Sequence, residues 1–373
     1  MLKSNRNNLV IPIYQSTHTT KKQSRTVSVR YISTFFEISM KDSPSKTGQQ
    51  ILEMMSGFRP SCVIGAAAEL DLWDIIGDGS HSAEEIAHLM HSDLRATTML
   101  LDAVAALGLL EKNKTLYRVP NEIRPLLSHH SPQTILPMVL HQMNILRNWS
   151  QLAWVTKSGK PASHQASIRG AEADRAAFIA AMHSISRLFA DDLVAQLGPL
   201  KFMHLLDVGG ASGTWTLAFL RAVPNARATI FDLPDAILQA EQRIKSTEFG
   251  DRIKLVGGDF YTDPLPAGCD FAWVSAIAHQ HSRRHNRELF QKVFKALEPG
   301  AQIAVRDVIM EPCRTRPLDG ALFAINMLVN TETGGTFTFD EFAADLQAAG
   351  FIEPRLVIRH EAMNSVVMAV KPS

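Results

Sequence analysis

The sequence predicts an α/β protein in two parts, a helical N-terminal region followed by a doubly wound sheet. Three observations predict it. From Gln50 to about Gly198 apolar residues recur at helical spacing. From His204 onward, short apolar runs alternate with amphipathic helical ones. The first of those runs ends in "DVGGASG", a glycine-rich turn that opens a helix. Strands alternating with helices make a mostly parallel sheet covered on both faces, and such sheets bind ligands outside the carboxyl ends of their strands.

At 373 residues the chain suits two domains, divided at about residue 198, so that 46–198 is helical and 199–373 carries the sheet. Hydrophobic residues make up 46% and charged residues 20%, a soluble globular profile. The formal net charge of +1 gives no global field favouring nucleic acid or an anionic membrane, so neither is expected as a partner. No apolar run approaches the ~18–20 residues of a membrane helix. Cys62, Cys269 and Cys313 are scattered and lack C-x-x-C pairing. That argues against a disulfide framework or structural zinc, and for a reducing, cytoplasmic home. Residues 1–45 differ from the rest. They are rich in Ser and Thr, carry Lys3, Arg6, Lys21, Lys22, Arg25 and Arg30, and hold Glu37 as the only acid before Met40. Scattered charge without an amphipathic period reads as a disordered or mis-assigned leader, with Met40 as the working start, ahead of a transit peptide.

In chain order, "QILEMMSGFRPSCVIGAAAELDLWDII" reads as helix ended by Gly77 and Gly79. Ser82 followed three residues later by Glu85 is a capping box, and Asp93 caps "LRATTMLLDAVAALGLL". "LLEKNKTLYRV" reads as a hairpin turning at Asn113-Lys114. Helix, short helix, longer helix and two-stranded wing is the order of a winged helix-turn-helix. The would-be recognition helix offers only Arg95 to phosphates, so burial or contact with a second subunit explains its apolar face better than DNA does. Next, "HLLDVGG", "RATIFDL", "IKLVGGDF", "CDFAWVSAIAH" and "AQIAVRDVIM" read as strands separated by helices. "FIEPRLVIRH" and "NSVVMAVK" read as an antiparallel edge hairpin.

The glycines Gly209, Gly210 and Gly213, after Asp207, allow a tight turn and close backbone approach to a ligand. Asp232, nineteen residues beyond Gly213 and followed by Leu233, stands where a carboxylate holds ribose hydroxyls. Asp259 and Phe260 end a third strand, where an adenine ring would lie. The spacing is D-x-G-G-x-x-G, not the G-x-G-x-x-G of a dinucleotide turn. Acids at three strand ends suit a cationic nucleoside rather than a pyrophosphate, and S-adenosylmethionine fits.

Taken together, "LLDVGGASG", "FDLPDAI", "VGGDFY", the strand running to His279, "LEPGAQIAVRD" and "TFTFDEFAADLQAAGF" resemble a known family. It is that of the two-domain small-molecule O-methyltransferases of the caffeate, acetylserotonin and hydroxyneurosporene type. The resemblance runs from about Gln50 to the C-terminus. It implies a Rossmann-like class I methyltransferase sheet, and an N-terminal winged-helix region that dimerises and walls the acceptor pocket. It also implies S-adenosylmethionine at Gly209, Asp232, Asp259 and Phe260. Where many members place a cofactor-contacting lysine, this chain has Ser275.

"AWVSAIAHQHSRRHN" sets His279, His281 and His285 at H-x-H-x-x-x-H spacing. It reads as a metal site, as one base with two bystanders, or as three surface residues. Ser282 reads as a helix N-cap, which spreads the three over strand end, cap and helix, and no carboxylate in the stretch completes a ligand set. No metal is therefore expected, and His281 and His285 are read as structural. The resemblance implies that His279, closing the fourth strand, is the general base for an acceptor hydroxyl. It further implies that Asp307 orients His279. The family's plant members follow the base with Asp, which is Gln280 here, and their second acid falls on Thr336, with Glu311 and Glu332 close enough in sequence to compensate.

The acceptor pocket is expected from Met138, Met143, Trp149, Phe178, Met182, Phe323, Asn326 and Met327, an apolar slot for a flat hydroxylated aromatic or polyketide-like molecule. The expected enzyme is an S-adenosylmethionine-dependent O-methyltransferase, a homodimer. Its rivals are a relative that keeps the cofactor for decarboxylation or hydroxylation, and a winged-helix regulator on DNA.

Overall fold

The computed structural model describes residues 46–210 and 212–373; the leader expected at 1–45 lies outside them. The helical part begins with α1 (Gly48–Ser56), α2 (Phe58–Glu69) and α3 (Leu72–Ile76), three helices where the sequence reads as one. The breaks fall at Gly57 and at Asp71, which takes a left-handed backbone (φ +54°). After β1 (His81–Ser82) come α4 (Ala83–Leu89) and α5 (Leu94–Ala106). Ser82 and Glu85 form the reciprocal capping box, and the Asp93 side chain accepts from the Ala96 N–H. The wing is β2 (Glu111–Asn113) and β3 (Leu116–Arg118), with β1 added on the far edge of β3. Its turn is Lys114-Thr115, one residue later than expected, because Asn113 pairs with Leu116 and Lys114 supplies the positive φ of +56°.

Then follow α6 (Arg124–Leu127), α7 (Leu136–Trp149), α8 (Leu152–Ser158), α9 (Ala171–Ser186) and α10 (Ala190–Gln196). The helical core gathers Leu72, Trp73, Ile76, Ile86, Leu101, Tyr117 and Leu140, all buried. In contrast, α10 packs into the sheet's core through Ala190, Leu193 and Val194. Thr47–Ser373 forms one compact unit.

The sheet part contains β4 (His204–Val208), α11 (Thr214–Ala222), β5 (Arg227–Asp232), α12 (Pro234–Ile244), β6 (Ile253–Gly257), β7 (Cys269–Ser275), α13 (Arg283–Ala296) and β8 (Leu297–Asp307). It ends with β9 (Ile309–Met310), α14 (Leu318–Asn330), β10 (Phe337–Thr338), α15 (Phe339–Ala348), β11 (Ile352–Ile358) and β12 (Ser365–Val370). The seven-stranded order is β11-β12-β8-β7-β4-β5-β6. The five strands from β6 to β8 run parallel, and β12 and β11 add the expected antiparallel hairpin at the edge.

From β4 the chain builds outward through β5 and β6, then returns to place β7 on β4's other side. That reversal opens a crevice at the carboxyl ends of β4 and β7, the place where such sheets bind ligands. One face of the sheet is covered by α13 and α15 through Phe290, Val293, Phe342 and Leu346. The other is covered by α10 and α11 around Trp215, Phe219, Phe271 and Trp273. No helix among the described residues is long and apolar enough to cross a membrane.

The α15 cap is a full capping box, Thr338 with Glu341, and it seats Phe342 and Leu346 under the sheet. Thr338→Ala should therefore lower the unfolding free energy by about 1 kcal/mol in a denaturant titration.

Candidate active site

The crevice is lined first by the turn after β4. Asp207 is buried inside the strand end and accepts the Thr216 hydroxyl at 2.6 Å. Burial pushes its carboxyl up to about 7, against the Thr216 bond, and the nearby Asp232 carboxylate adds to the rise. Gly209 has φ +70°, and a Cβ there would stand 2.3 Å from Ile277 Cδ1. A Cβ on Gly210 would stand 2.2 Å from the Asp207 carboxyl carbon. Gly213 (φ +67°) donates to the Gly210 carbonyl at 2.6 Å and starts α11. The turn thus brings bare backbone and the N-terminal end of α11 to the crevice.

Asp232 is the last residue of β5, and its Oδ1 accepts from the Leu233 N–H at 2.7 Å. Leu233 is exposed beside it. Asp259 and Phe260 lie past the end of β6, which stops at Gly257 instead of running into them. Within that turn the Asp259 N–H donates to Asp263 and the Tyr261 N–H donates to Asp259, each at 2.8 Å. Ser275 ends β7, and its hydroxyl accepts from the Arg306 guanidinium at 2.9 Å. Arg306 is itself buried over the faces of Trp215 (4.6 Å) and Phe189 (5.4 Å). The serine at the lysine position is therefore backed by a guanidinium from the neighbouring strand.

His279 does not close β7. The strand stops at Ser275, Ala276 turns through a left-handed backbone (φ +58°), and His279 sits on a single helical turn, Ala278–Gln280. The apolar run "VSAIA" hides this turn in the sequence. The displacement brings the imidazole onto β8's end. Its Nδ1 lies 2.9 and 3.1 Å from the two oxygens of Asp307, and its backbone N–H donates to the same carboxylate at 3.1 Å. Both residues are buried. An ionised carboxylate only accepts, so Nδ1 carries the proton and Nε2 of the neutral ring is left as an acceptor.

Gly335 donates to the His279 carbonyl at 2.8 Å, and a Cβ on Gly334 would come within 2.5 Å of that carbonyl. The loop carrying Thr336 thus presses on the histidine's backbone. Of the acids close in sequence, Glu311 pairs with Arg316 at 3.0 Å and Glu332 is exposed.

Over the crevice lie α7, α9 and α14. Phe323 of α14 meets the His279 ring edge-on at 4.8 Å. One turn on, Asn326 accepts the Trp149 indole N–H at 2.9 Å, joining α14 to α7. Phe178 of α9 contacts His141 of α7 at 5.0 Å. Met138 lies on the same face of α7 as Trp149, and Met182 follows Phe178 by one turn of α9. Met327 is buried within α14. Met143 leaves the expected set: it lies against Gly65 of α2, because five residues from Met138 rotate it about 140° to the opposite face.

Two histidines that the sequence reading missed also lie here. His141 is held neutral, its pKa driven down to about 4 by burial. His183 of α9 bonds Thr214 Oγ1 at 2.7 Å, which ties the helical layer to the glycine turn, and burial with the Arg243 and Arg187 charges drives it down to about 4. No local pattern marks these contacts.

His281 and His285 are turned elsewhere. His281 is hydrogen-bonded to the Tyr261 hydroxyl and driven down to about 4 by burial, then by the neighbouring histidines. His285 Nδ1 lies 3.1 Å from the hydroxyl of Ser282, the cap of α13. Among the described residues no group of three potential ligands gathers.

An O-methyltransferase domain matches residues 142–352, and an O-methyltransferase dimerisation domain matches residues 52–121. The chain belongs to the O-methyltransferase family. It is 30% identical to the tetracenomycin polyketide synthesis 8-O-methyl transferase of Streptomyces glaucescens, over 82% of this chain and 91% of that one. It is 27% identical to the 3-hydroxy-5-methyl-1-naphthoate 3-O-methyltransferase of Streptomyces sahachiroi, over 86% and 94%. The fold matches human N-acetylserotonin methyltransferase in complex with SAM, with TM-score 0.75 and 24% identity over 90% of this chain and all of that one.

This O-methyltransferase is thus an S-adenosylmethionine-dependent enzyme with a class I sheet and an N-terminal dimerisation domain. Its crevice fits that methyl donor. The glycine turn admits no Cβ at Gly209 or Gly210, and the acids at the ends of β4 and β5 and past β6 suit a cationic nucleoside.

The raised Asp207 carboxyl has a consequence for stability. Between the unfolded value of 3.8 and about 7 the folded chain binds the extra proton, so stability falls as pH rises through that window. Asp207→Asn should stabilise the protein more at pH 8 than at pH 5. Denaturant midpoints at the two pH values check it, and an equal gain at both would contradict the raised carboxyl.

Proposed function

We propose that this O-methyltransferase transfers a methyl group to a hydroxyl of a small, flat aromatic or polyketide-like molecule, with His279 as general base. The observation that carries the reading is the His279–Asp307 pair, buried at the crevice with Nε2 left as an acceptor. The relatives named for polyketide and naphthoate acceptors, and the aromatic lining from Phe323, Trp149 and Phe178, support the acceptor class. A carboxylate acceptor would need no base.

S-adenosylmethionine, when bound, supplies the activated methyl group. Gly209, Gly210 and Gly213 would take its amino-acid end beside Asp207, and Asp232 and Leu233 its ribose. Asp259 and Phe260 would take its adenine, with Ser275 near the centre. A phenol of pKa ~10 is about one part in a thousand ionised at neutral pH, and forming the phenolate beforehand costs roughly 4 kcal/mol. His279 accepts that proton at Nε2 as the oxygen attacks, and Asp307 holds the ring's tautomer and steadies the imidazolium. Met138, Trp149, Phe178, Met182, Phe323, Asn326 and Met327 hold the acceptor flat and exclude water.

Residues 46–198 and 199–373 serve as dimerisation and catalytic domains, and the enzyme works as a cytoplasmic homodimer. The dimerisation match and the exposed Ile51, Leu52, Met54, Met55 and Phe58 support the homodimer.

His279→Ala should lower kcat on a weakly acidic phenol by about 10²–10⁴-fold while leaving S-adenosylmethionine affinity unchanged. The assay follows methyl transfer by mass to the best-used member of a panel of hydroxynaphthalenes. An unchanged rate would remove the base assignment. A product without an added methylene unit would favour decarboxylation or hydroxylation instead.

A further inference from the structure

The turn after β6 is gripped from behind by a side chain that the proposed mechanism does not use. Lys292, in the third turn of α13, donates to the carbonyls of Phe260 (2.6 Å), Tyr261 (2.8 Å) and Asp263 (3.0 Å). An ammonium has three N–H donors, and this one commits all three to a single turn. With those carbonyls drawn towards α13, the turn is braced at three of its residues. Internal bonds among Asp259, Tyr261 and Asp263 close it further. The Phe260 ring packs on the sheet core and meets the His281 ring edge-on at 5.7 Å.

We propose that Lys292 is a positioning residue for the methyl donor, holding Asp259 and Phe260 at the height and angle that receive its adenine. This rests on the reading that those two residues take the adenine ring. Charge-assisted hydrogen bonds from one ammonium to three carbonyls preorganise the turn, and a preorganised site binds without the cost of ordering it. A planar guanidinium keeps the charge but cannot aim three donors around a point, so arginine replaces this lysine only in part.

The test uses calorimetry on the full chain, with two ligands. S-adenosylhomocysteine spans the whole donor site, and 5′-methylthioadenosine spans only its nucleoside end. Lys292→Met should weaken both by the same factor, about tenfold. Lys292→Arg should recover to within about threefold of the parent. Lys292→Gln gives the same reading where the methionine variant does not fold. A lysine with a purely architectural role would lower the melting temperature and leave both affinities unchanged. Phe260→Ala separates the two ways of failing. If it weakens both ligands while Lys292→Met stays within about twofold of the parent, the lysine proposal falls alone. If neither variant moves either affinity, the adenine assignment falls and takes the lysine with it.

Discussion

The bond between the His279 ring and the buried Asp307 carboxylate is the constraint around which the site is built. It exists because β7 and β8 are parallel neighbours in a fixed register, with Ser275 opposite Arg306. A strand continuing past Ser275 would carry His279 beyond the end of β8. Instead, Ala276 takes a left-handed backbone and donates to the Arg306 carbonyl at 2.9 Å, which folds the chain back. Left-handed alanine costs of order 1 kcal/mol and persists only where its surroundings over-determine it. Here they do: Asp307 holds the histidine from one side, and Gly335 holds its carbonyl from the other.

The donor side depends on a different economy of space. Each glycine of the turn is tight against a neighbour from another element: Gly209 against Ile277, Gly210 against Asp207, Gly213 against Ile244. The Ile277 contact comes from the same loop that carries His279, so the two halves of the crevice are packed on each other. Asp207 lies beneath this turn at a cost that its raised pKa expresses, a buried carboxyl held by the hydroxyl and backbone of Thr216. A buried group that costs folding stability beside a ligand crevice is the trade expected of a functional site.

What was legible in the sequence was what is local. The glycine turn, Asp232 nineteen residues on, the Ser82–Glu85 box and the Ser282 cap are all patterns within one element or between adjacent ones. The parallel sheet with ligands at its carboxyl ends followed from alternation, whereas the strand order came only with the structure. The limits were registers and faces. The wing turn slipped by one residue because Asn113 and Lys114 are both acceptable turn residues, and only pairing with Leu116 decides between them. Met143 was assigned to the crevice by composition, whereas helical geometry turns it towards Gly65. His183 and Thr214 are 31 residues apart, on separate layers, so nothing in either stretch announces their bond.

The most informative departure is Thr336. In the plant members of the family that the sequence resembles, a second carboxylate is expected at this position. Here the residue is buried, and its backbone carbonyl accepts from Arg314 at 2.7 Å, so the segment is held by its main chain. Phe337 pairs with Ile309 in the small β9–β10 ladder, which fixes the segment against the chain leaving β8. The segment is thus fixed by its main chain and presents a hydroxyl, not a carboxylate. On the proposed mechanism one carboxylate, that of Asp307, faces the ring where two would stabilise an imidazolium more. Such a site suits acceptors that need least help, hydroxyls made acidic by conjugation with a carbonyl or by a fused ring system. Polyketide-derived phenols are of that kind, and the acceptor chemistry proposed from the aromatic lining agrees with what the missing acid demands.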